Sequence, residues 1–396
     1  MAIELWVDGR EYQASSARTL PVEDPATGEV VDELRLADSA DLDHVVRVAR
    51  AAQAEWARTP LAKRVDVMFK FRQLIIEHQD ELADIIVREG GKTHGDALGE
   101  IARGRETVDF ACGINAALKG EFTDQASTGV DVHTLRQPVG VVAGIAPFNF
   151  PVMVPMWMHP IALATGNAFI LKVASLVPSA SLCIARLYKE AGLPDGLFNV
   201  IAGDRTLVGE ILTHDGIDAI SFVGSSPVAH VIQDTGTSHG KRVQALGGAN
   251  NHAIIMPDAD IEFAAQHISA GAFGAAGQRC MALPVIVAVG GVEEKLVPAI
   301  KARAEKIVVA GNGSRGGDGA RHHALLAPAH REVDRGRRGG GGAGGPRRAR
   351  LPPGGRGVRQ RLLAGPDDPG RSGPRPAGVP RGGVRARPGG RARRHL

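Results

Sequence analysis

Apolar and polar positions change rhythm along the chain, and the changes divide it. From Leu5 to Arg35 short alternating runs are cut by turn residues, at Val7-Asp8-Gly9 and at Asp24-Pro25-Ala26-Thr27-Gly28, the pattern of a small β-meander. The period then lengthens to that of amphipathic helices. Ser39 is placed to cap one running to about Arg58, Thr59-Pro60 opens a second reaching about Glu89 before Gly90-Gly91, and a third is predicted from about Asp96 to Leu118. Residues 120–138 return to a polar, β-prone rhythm around Val130–Arg136, suited to an exposed arm that pairs with another subunit.

After this arm, apolar runs alternate with helical patterns. Strands are predicted at Val139–Ile145, Ala168–Val173, Leu197–Ile201 and Ala219–Phe222, with helices at Val152–Thr165, Pro178–Ala191, Arg205–His214 and Pro227–Asp234. That alternation is the signature of a doubly wound parallel sheet, which binds ligands at the carboxyl ends of its strands. Further strands at Arg242–Leu246 and Ala253–Met256, a helix from Asp260 to about Phe273, strand Pro284–Val289 and helix Val292–Val308 start a second α/β unit. The fold class is therefore α/β, with one ligand-binding domain from 1–119 and 139–246, an arm at 120–138 and a partial second domain at 247–310.

Residues 311–396 differ in kind. They hold 20 Arg, 23 Gly and 10 Pro, and no Phe, Tyr, Trp, Met, Ile or Lys, too little apolar surface to offset the entropy of ordering. The overabundant residues are those whose first two codon positions are G or C, which points to an out-of-frame reading of a GC-rich gene from near Gly311. A genuine nucleic-acid-binding tail would carry regular RGG spacing and interleaved aromatics, and this one carries neither. The tail also accounts for the net charge: the chain is formally +4, yet residues 1–310 hold 27 basic and 38 acidic side chains. Three widely spaced cysteines suit a reducing compartment, and the start has neither a basic n-region nor an apolar stretch of the kind that targets or anchors. The expectation is a cytoplasmic protein with no membrane or nucleic-acid partner.

The chemistry gathers at the ends of the predicted strands. Cys280, in Phe273-Gly274-Ala275-Ala276-Gly277-Gln278-Arg279-Cys280-Met281-Ala282, stands among small residues beside a guanidinium, where a thiolate can be exposed and stabilised. A lone cysteine is also an ordinary small core residue. Asn149, in Ala146-Pro147-Phe148-Asn149-Phe150-Pro151, offers an amide to a developing oxyanion, or else caps a helix. Lys172 ends a strand where an ammonium meets ribose or phosphate oxygens. Gly224-Ser225 opens a helix whose N–H groups favour a phosphate, without the GxGxxG fingerprint.

Singly these signals are weak, but in this order they resemble the aldehyde dehydrogenase superfamily over about residues 3–310, with Pro147-Phe148-Asn149-Phe150-Pro151 and Gly277-Gln278-Arg279-Cys280 as the most specific matches. The resemblance implies that Cys280 is the nucleophile, and that Asn149 and the Cys280 amide form the oxyanion hole. It sets Ala146, Phe148, Lys172, Ser175, Gly224, Ser225 and Leu246 around NAD. The superfamily's Glu-Leu-Gly-Gly supplies the base that activates water, and this chain reads Ala245-Leu246-Gly247-Gly248. Alanine accepts no proton, so a thiol becomes the better acyl acceptor. Together with Met156-Trp157-Met158 and Met281-Ala282-Leu283, this resembles the CoA-acylating methylmalonate-semialdehyde dehydrogenases, which implies coenzyme A as co-substrate, a semialdehyde whose carboxylate meets Arg103 and Arg279, and a homo-oligomer. A hydrolytic aldehyde dehydrogenase and an inactive fragment are the alternatives.

Two departures modify these expectations. Where the family has Pro-Ser-Glu after the strand-end lysine, this chain has Val173-Ala174-Ser175, losing a carboxylate that accepts from the adenosine ribose, so the preference for NAD over its 2′-phosphate form should relax. Nothing after Val309 matches the family's Glu-Ile-Phe-Gly-Pro segment, so the catalytic unit should stop short, with low stability and low activity.

Overall fold

The computed structural model describes residues 2–307; the Arg/Gly/Pro-rich segment expected from Gly311 lies outside the described residues. The chain opens with β1 (Ala2–Ile3), β2 (Leu5–Val7), β3 (Arg10–Tyr12), β4 (Thr19–Glu23) and β5 (Val30–Arg35). These do not make one meander. β1, β5 and β4 form their own three-stranded sheet, whereas β2 and β3 turn back to extend the main sheet.

Four helices follow: α1 (Ser39–Trp56), α2 (Leu61–Glu77), α3 (Gln79–Gly90) and α4 (His94–Cys112). The cap of α1 is Asp38 rather than Ser39. Asp38 is the extended residue, its carboxylate accepts the N–H of Ala40 and Asp41, and Asp41 accepts the N–H of Asp38 in return, a capping box stabilising the end by about 1 kcal/mol. The second predicted helix breaks in two at His78, which leaves the helical region with φ −102° and ψ 14°. Gly91 closes α3 in the left-handed conformation at φ 64°, as Gly90-Gly91 suggested. The arm is a hairpin, β6 (Phe122–Ser127) and β7 (Val130–His133), exposed along its whole length.

The α/β part runs β8 (Val141–Ile145), α5 (Met153–Met156), α6 (His159–Ala164), β9 (Ala168–Lys172), α7 (Ser179–Glu190), β10 (Phe198–Ile201), α8 (Arg205–Thr213), β11 (Ala219–Val223), α9 (Ser226–Ser238) and β12 (Arg242–Leu246). Where one helix was expected over 152–165 there are two short ones. Pro160, near the start of α6, has no N–H to donate and its ring crowds the carbonyl four residues back, which favours a break before it and a fresh helix start at α6.

The seven-stranded sheet has the order β12-β11-β8-β9-β10-β2-β3, parallel from β12 to β10 and antiparallel beyond. The chain winds outward from β8 through β9 to β10, then returns to β8's other side for β11 and β12. The winding direction thus reverses between β8 and β11, and a crevice opens at their carboxyl ends. The main core lies on both faces, with Phe71 stacked on Tyr188 at 3.6 Å between ring centroids and Phe169, Phe198 and buried His159 packed around them.

The second unit comprises β13 (His252–Ile255), α10 (Ile261–Phe273), β14 (Val285–Ala288) and α11 (Glu293–Ala304). β13 and β14 pair in parallel apart from the main sheet. Their core is Ala265, Ile268, Ile286, Leu296 and Ile300. No helix of the described residues is long and apolar enough to cross a membrane.

Candidate active site

The crevice collects most of the residues singled out in the sequence. β8 ends at Ile145, and Ala146 donates its N–H to the Lys172 carbonyl at 3.2 Å, so the Ala146-Pro147-Phe148-Asn149 turn leaves the sheet beside the end of β9. Gly224 follows β11 and donates its N–H to the Leu246 carbonyl of β12 at 3.0 Å. Ser225 stands at the N-terminus of α9 and its hydroxyl makes no cap bond. The neighbouring Ser226 hydroxyl accepts the Gly248 N–H at 3.0 Å, and a Cβ on Gly247 would come within 2.8 Å of that oxygen, which is why Leu246-Gly247-Gly248 can close on α9. Ser175 lies half-buried in the turn three residues past Lys172. Burial lowers the Lys172 pKa to about 8, opposed by the charge of Asp204.

Cys280 approaches from the second unit. Sequence periodicity suggests that α10 delivers it directly, but a reversal intervenes. Ala275, Ala276 and Gly277 take φ values of 49°, 54° and 74°, three consecutive left-handed residues that turn the chain back. The Asn251 side chain then donates to the carbonyls of Cys280 at 2.8 Å and Ala282 at 2.9 Å and clamps the loop. The Asn149 amide donates to the Gln278 carbonyl at 2.7 Å, so this asparagine joins the main sheet to the cysteine loop rather than capping a helix. Cys280 is partly exposed, while Cys112 and Cys183 are buried. Burial pushes both of those thiols up, away from thiolate.

Beneath the Asn149 turn lies an ion pair that sequence reasoning missed. Lys92 and Glu100 are almost fully buried against each other, and Glu100 also accepts the N–H groups of Val152 at 2.9 Å and Met153 at 3.1 Å. The Lys92 ammonium sits 4.0 Å from the centroid of the Phe150 ring. Burial lowers the Lys92 pKa, and Glu100 opposes the shift. The signal was present: Glu100 shares a helix face with Ala97, Ile101 and Gly104, where a carboxylate must have a partner. Gly104 has its own purpose, since a Cβ there would meet Met156 Sδ at 2.7 Å and push α5 off α4.

The two arginines separate. Arg279 Nη2 donates to Asp96 Oδ1 at 2.8 Å, joining the cysteine loop to the first turn of α4, with both side chains about a quarter exposed. Arg103 is exposed and pairs with Glu106 on its own helix, so the structure does not gather it with Arg279. Ala245 is half-buried on edge strand β12, in register with Phe222. Gly90, Gly91, Lys92, Phe148, Asn149, Ala275 and Gln278 line a narrow cleft alongside the loop. Among the described residues no cluster of His, Cys, Asp and Glu could hold a metal ion.

Comparison with known proteins agrees with this geometry. Residues 12–323 match the aldehyde dehydrogenase family. Over 328 residues the chain is 44% identical to malonate-semialdehyde dehydrogenase 1 of Geobacillus thermodenitrificans (strain NG80-2), covering 83% of this chain and 66% of that protein. It is 47% identical over 297 residues to the malonate-semialdehyde dehydrogenase of Pseudomonas aeruginosa, covering 74% and 60%. The crystal structure of methylmalonate-semialdehyde dehydrogenase from Oceanimonas doudoroffii superposes with a TM-score of 0.79 at 44% identity, covering 82% of this chain and 66% of that one. A Sinorhizobium meliloti 1021 structure described as a methylmalonate-semialdehyde dehydrogenase complexed with NAD gives 0.80 at 43%, covering 85% and 68%. The chain thus spans 66% of the length of its first relatives, and with a parallel-sheet crevice, a partly exposed cysteine and this match it belongs to the aldehyde dehydrogenase family.

Proposed function

We propose that this chain carries the chemistry of a CoA-acylating, NAD-dependent oxidation of malonate or methylmalonate semialdehyde, with Cys280 as nucleophile. The observation that carries the reading is the convergence of Asn149 and Cys280. The asparagine amide bonds the Gln278 carbonyl, two residues from the only partly exposed cysteine among the described residues. Sγ of Cys280 attacks the aldehyde carbon, and an N–H of Asn149 together with the Cys280 amide stabilises the oxyanion that forms.

The crevice between β8 and β11 fits a dinucleotide. The Gly224-Ser225 turn meets the N-terminus of α9 there, and Lys172, drawn down to about pH 8 by burial, gains from any anion or hydroxyl that restores its lost hydration. Bound there, NAD would take up the hydride released as the thioacyl-enzyme forms on Cys280. Ala245 occupies the position where a carboxylate would activate water, and its methyl group cannot. The thioacyl-enzyme loses the substrate's carboxylate as carbon dioxide, a proton taking its place on the carbon, and the remaining acyl group passes to the thiol of coenzyme A, which frees Cys280. Arg279 is the residue beside the nucleophile able to recognise the carboxylate of a 3-oxo acid.

The test is NADH formation from methylmalonate semialdehyde by chain 1–396, with coenzyme A added and withheld. NADH and propionyl-CoA that depend on coenzyme A, and that vanish in Cys280→Ala, are the expected outcome. Free acid released at an undiminished rate without coenzyme A would overturn the acylating reading in favour of hydrolysis. A folded sample silent in both conditions would overturn catalysis by this chain.

A further inference from the structure

Arg279 is held by a residue that neither the sequence motif nor its neighbours indicated. Asp96 sits in the first turn of α4, where Thr93 Oγ accepts its N–H at 3.1 Å and the helix N-terminus favours its negative charge. Across from it, the Arg279 guanidinium lies flat on Gly274 at the end of α10. A Cβ at Gly274 would come within 2.5 Å of the guanidinium carbon, so the glycine leaves room for the arginine to fold back in the position from which it reaches Asp96. The two meet at 2.8 Å through a single Nη2–Oδ1 bond. Lys92, which feels the charges of both Asp96 and Arg279, is itself paired with Glu100. A ligand carboxylate arriving beside Cys280 therefore meets a guanidinium whose charge is already balanced.

We propose that Asp96 is a positioning residue that occupies Arg279 in place of a ligand carboxylate, and so sets how strongly the site prefers carboxylate-bearing aldehydes over neutral ones. The inference rests on the reading of Arg279 as the carboxylate-binding residue. A guanidinium carries five N–H donors, and Asp96 engages it through one bond, so an incoming carboxylate can share or displace it. While Asp96 stays, the attraction for a second carboxylate is reduced; when it is neutralised, the full positive charge faces the site.

Two alkylating agents of the same size and leaving group read this charge without requiring turnover. Iodoacetate and iodoacetamide each form the same bond, from Cys280 Sγ to the methylene carbon, with loss of iodide; they differ in that the first brings a carboxylate. The ratio of their rates at Cys280 cancels changes in thiol reactivity common to both. On chain 1–396, followed by mass spectrometry of the Cys280 peptide, Asp96→Asn is expected to raise the iodoacetate-to-iodoacetamide ratio by about threefold or more. Asp96→Glu, which restores the charge, should return the ratio toward that of the unaltered chain. Arg279→Gln should lower it, and the double variant should behave as Arg279→Gln alone. An unchanged ratio in Asp96→Asn with a lowered one in Arg279→Gln would overturn the role of Asp96 and leave the Arg279 reading intact. An unchanged ratio in Arg279→Gln would overturn the carboxylate reading itself. If Asp96→Asn fails to fold, Asp96→Ser removes the same charge with a side chain suited to the start of a helix, and a constant ratio there counts against the proposal.

Discussion

Lys172 shows how a strand end becomes a binding group. Its ammonium is held where burial lowers its pKa to about 8, below the 10.5 of a lysine in water. Between those two values the unfolded chain binds more protons than the folded one, so this residue makes stability rise with pH across the window. Ligand binding runs the other way: as pH climbs through about 8 the charge that favours an anionic or hydroxyl-rich ligand is lost. Dinucleotide affinity, measured by fluorescence titration from pH 7 to 9.5, should fall several-fold across that range, and Lys172→Met should flatten the profile; an equal decline in the variant would assign the titration elsewhere. Residues of this kind were legible because strand ends and turn glycines leave local patterns. Asp96 and Asn251 left none: each acts through a partner far along the chain, Arg279 and the Cys280 carbonyl, and only the folded geometry joins them. Arg103 shows the converse, since a family position read from its neighbours turned out exposed and paired with Glu106.

At the scale of elements, periodicity located nearly every strand and helix and failed where backbone sterics intervene. The helix expected over 152–165 divides near Pro160, and the helix expected to reach Glu89 divides at His78, where neither Gly nor Pro marks the break. The clearest failure is the reversal before Cys280. Nothing in Gly-Ala-Ala-Gly announces left-handed residues, because alanine is the strongest helix former and disfavours positive φ by about 1 kcal/mol or more. Ala275 and Ala276 adopt it nonetheless, held between the end of α10 and the Asn149 contact. The sign of a substitution therefore distinguishes the conformations. Ala276→Gly should stabilise the protein by about 0.5 kcal/mol, the relief of strain exceeding the added chain entropy, seen as a higher urea midpoint at constant slope. Destabilisation of about 1 kcal/mol, the usual result in a helix, would show that the turn is not left-handed.

The molecule as a whole pairs a large core with a small one. The sheet from β12 to β3 and helices α1 to α9 share one continuous apolar interior, whereas among the described residues the second unit rests on a cluster of five buried apolar side chains and leaves Ile254, Phe263 and Met281 more than 60% exposed. Cooperative stability follows buried apolar surface, so the two should open at different free energies. The second unit carries Cys280 and the first carries Asn149 and Asp96, so the reactive geometry exists only while the weaker unit is closed on the stronger. Native-state hydrogen exchange on chain 1–396 should show amides of β13, β14, α10 and α11 exchanging at least tenfold faster than those of β8, β9 and β10, with a denaturant dependence of their own. Alkylation of Cys280 should accelerate in parallel with that opening as urea is raised below the main transition, because the cysteine loop is released when the Asn149–Gln278 and Asp96–Arg279 contacts part. Equal protection across both units, with Cys280 alkylation constant up to global unfolding, would instead mean that these few polar contacts bind the small core to the large one as a single cooperative body.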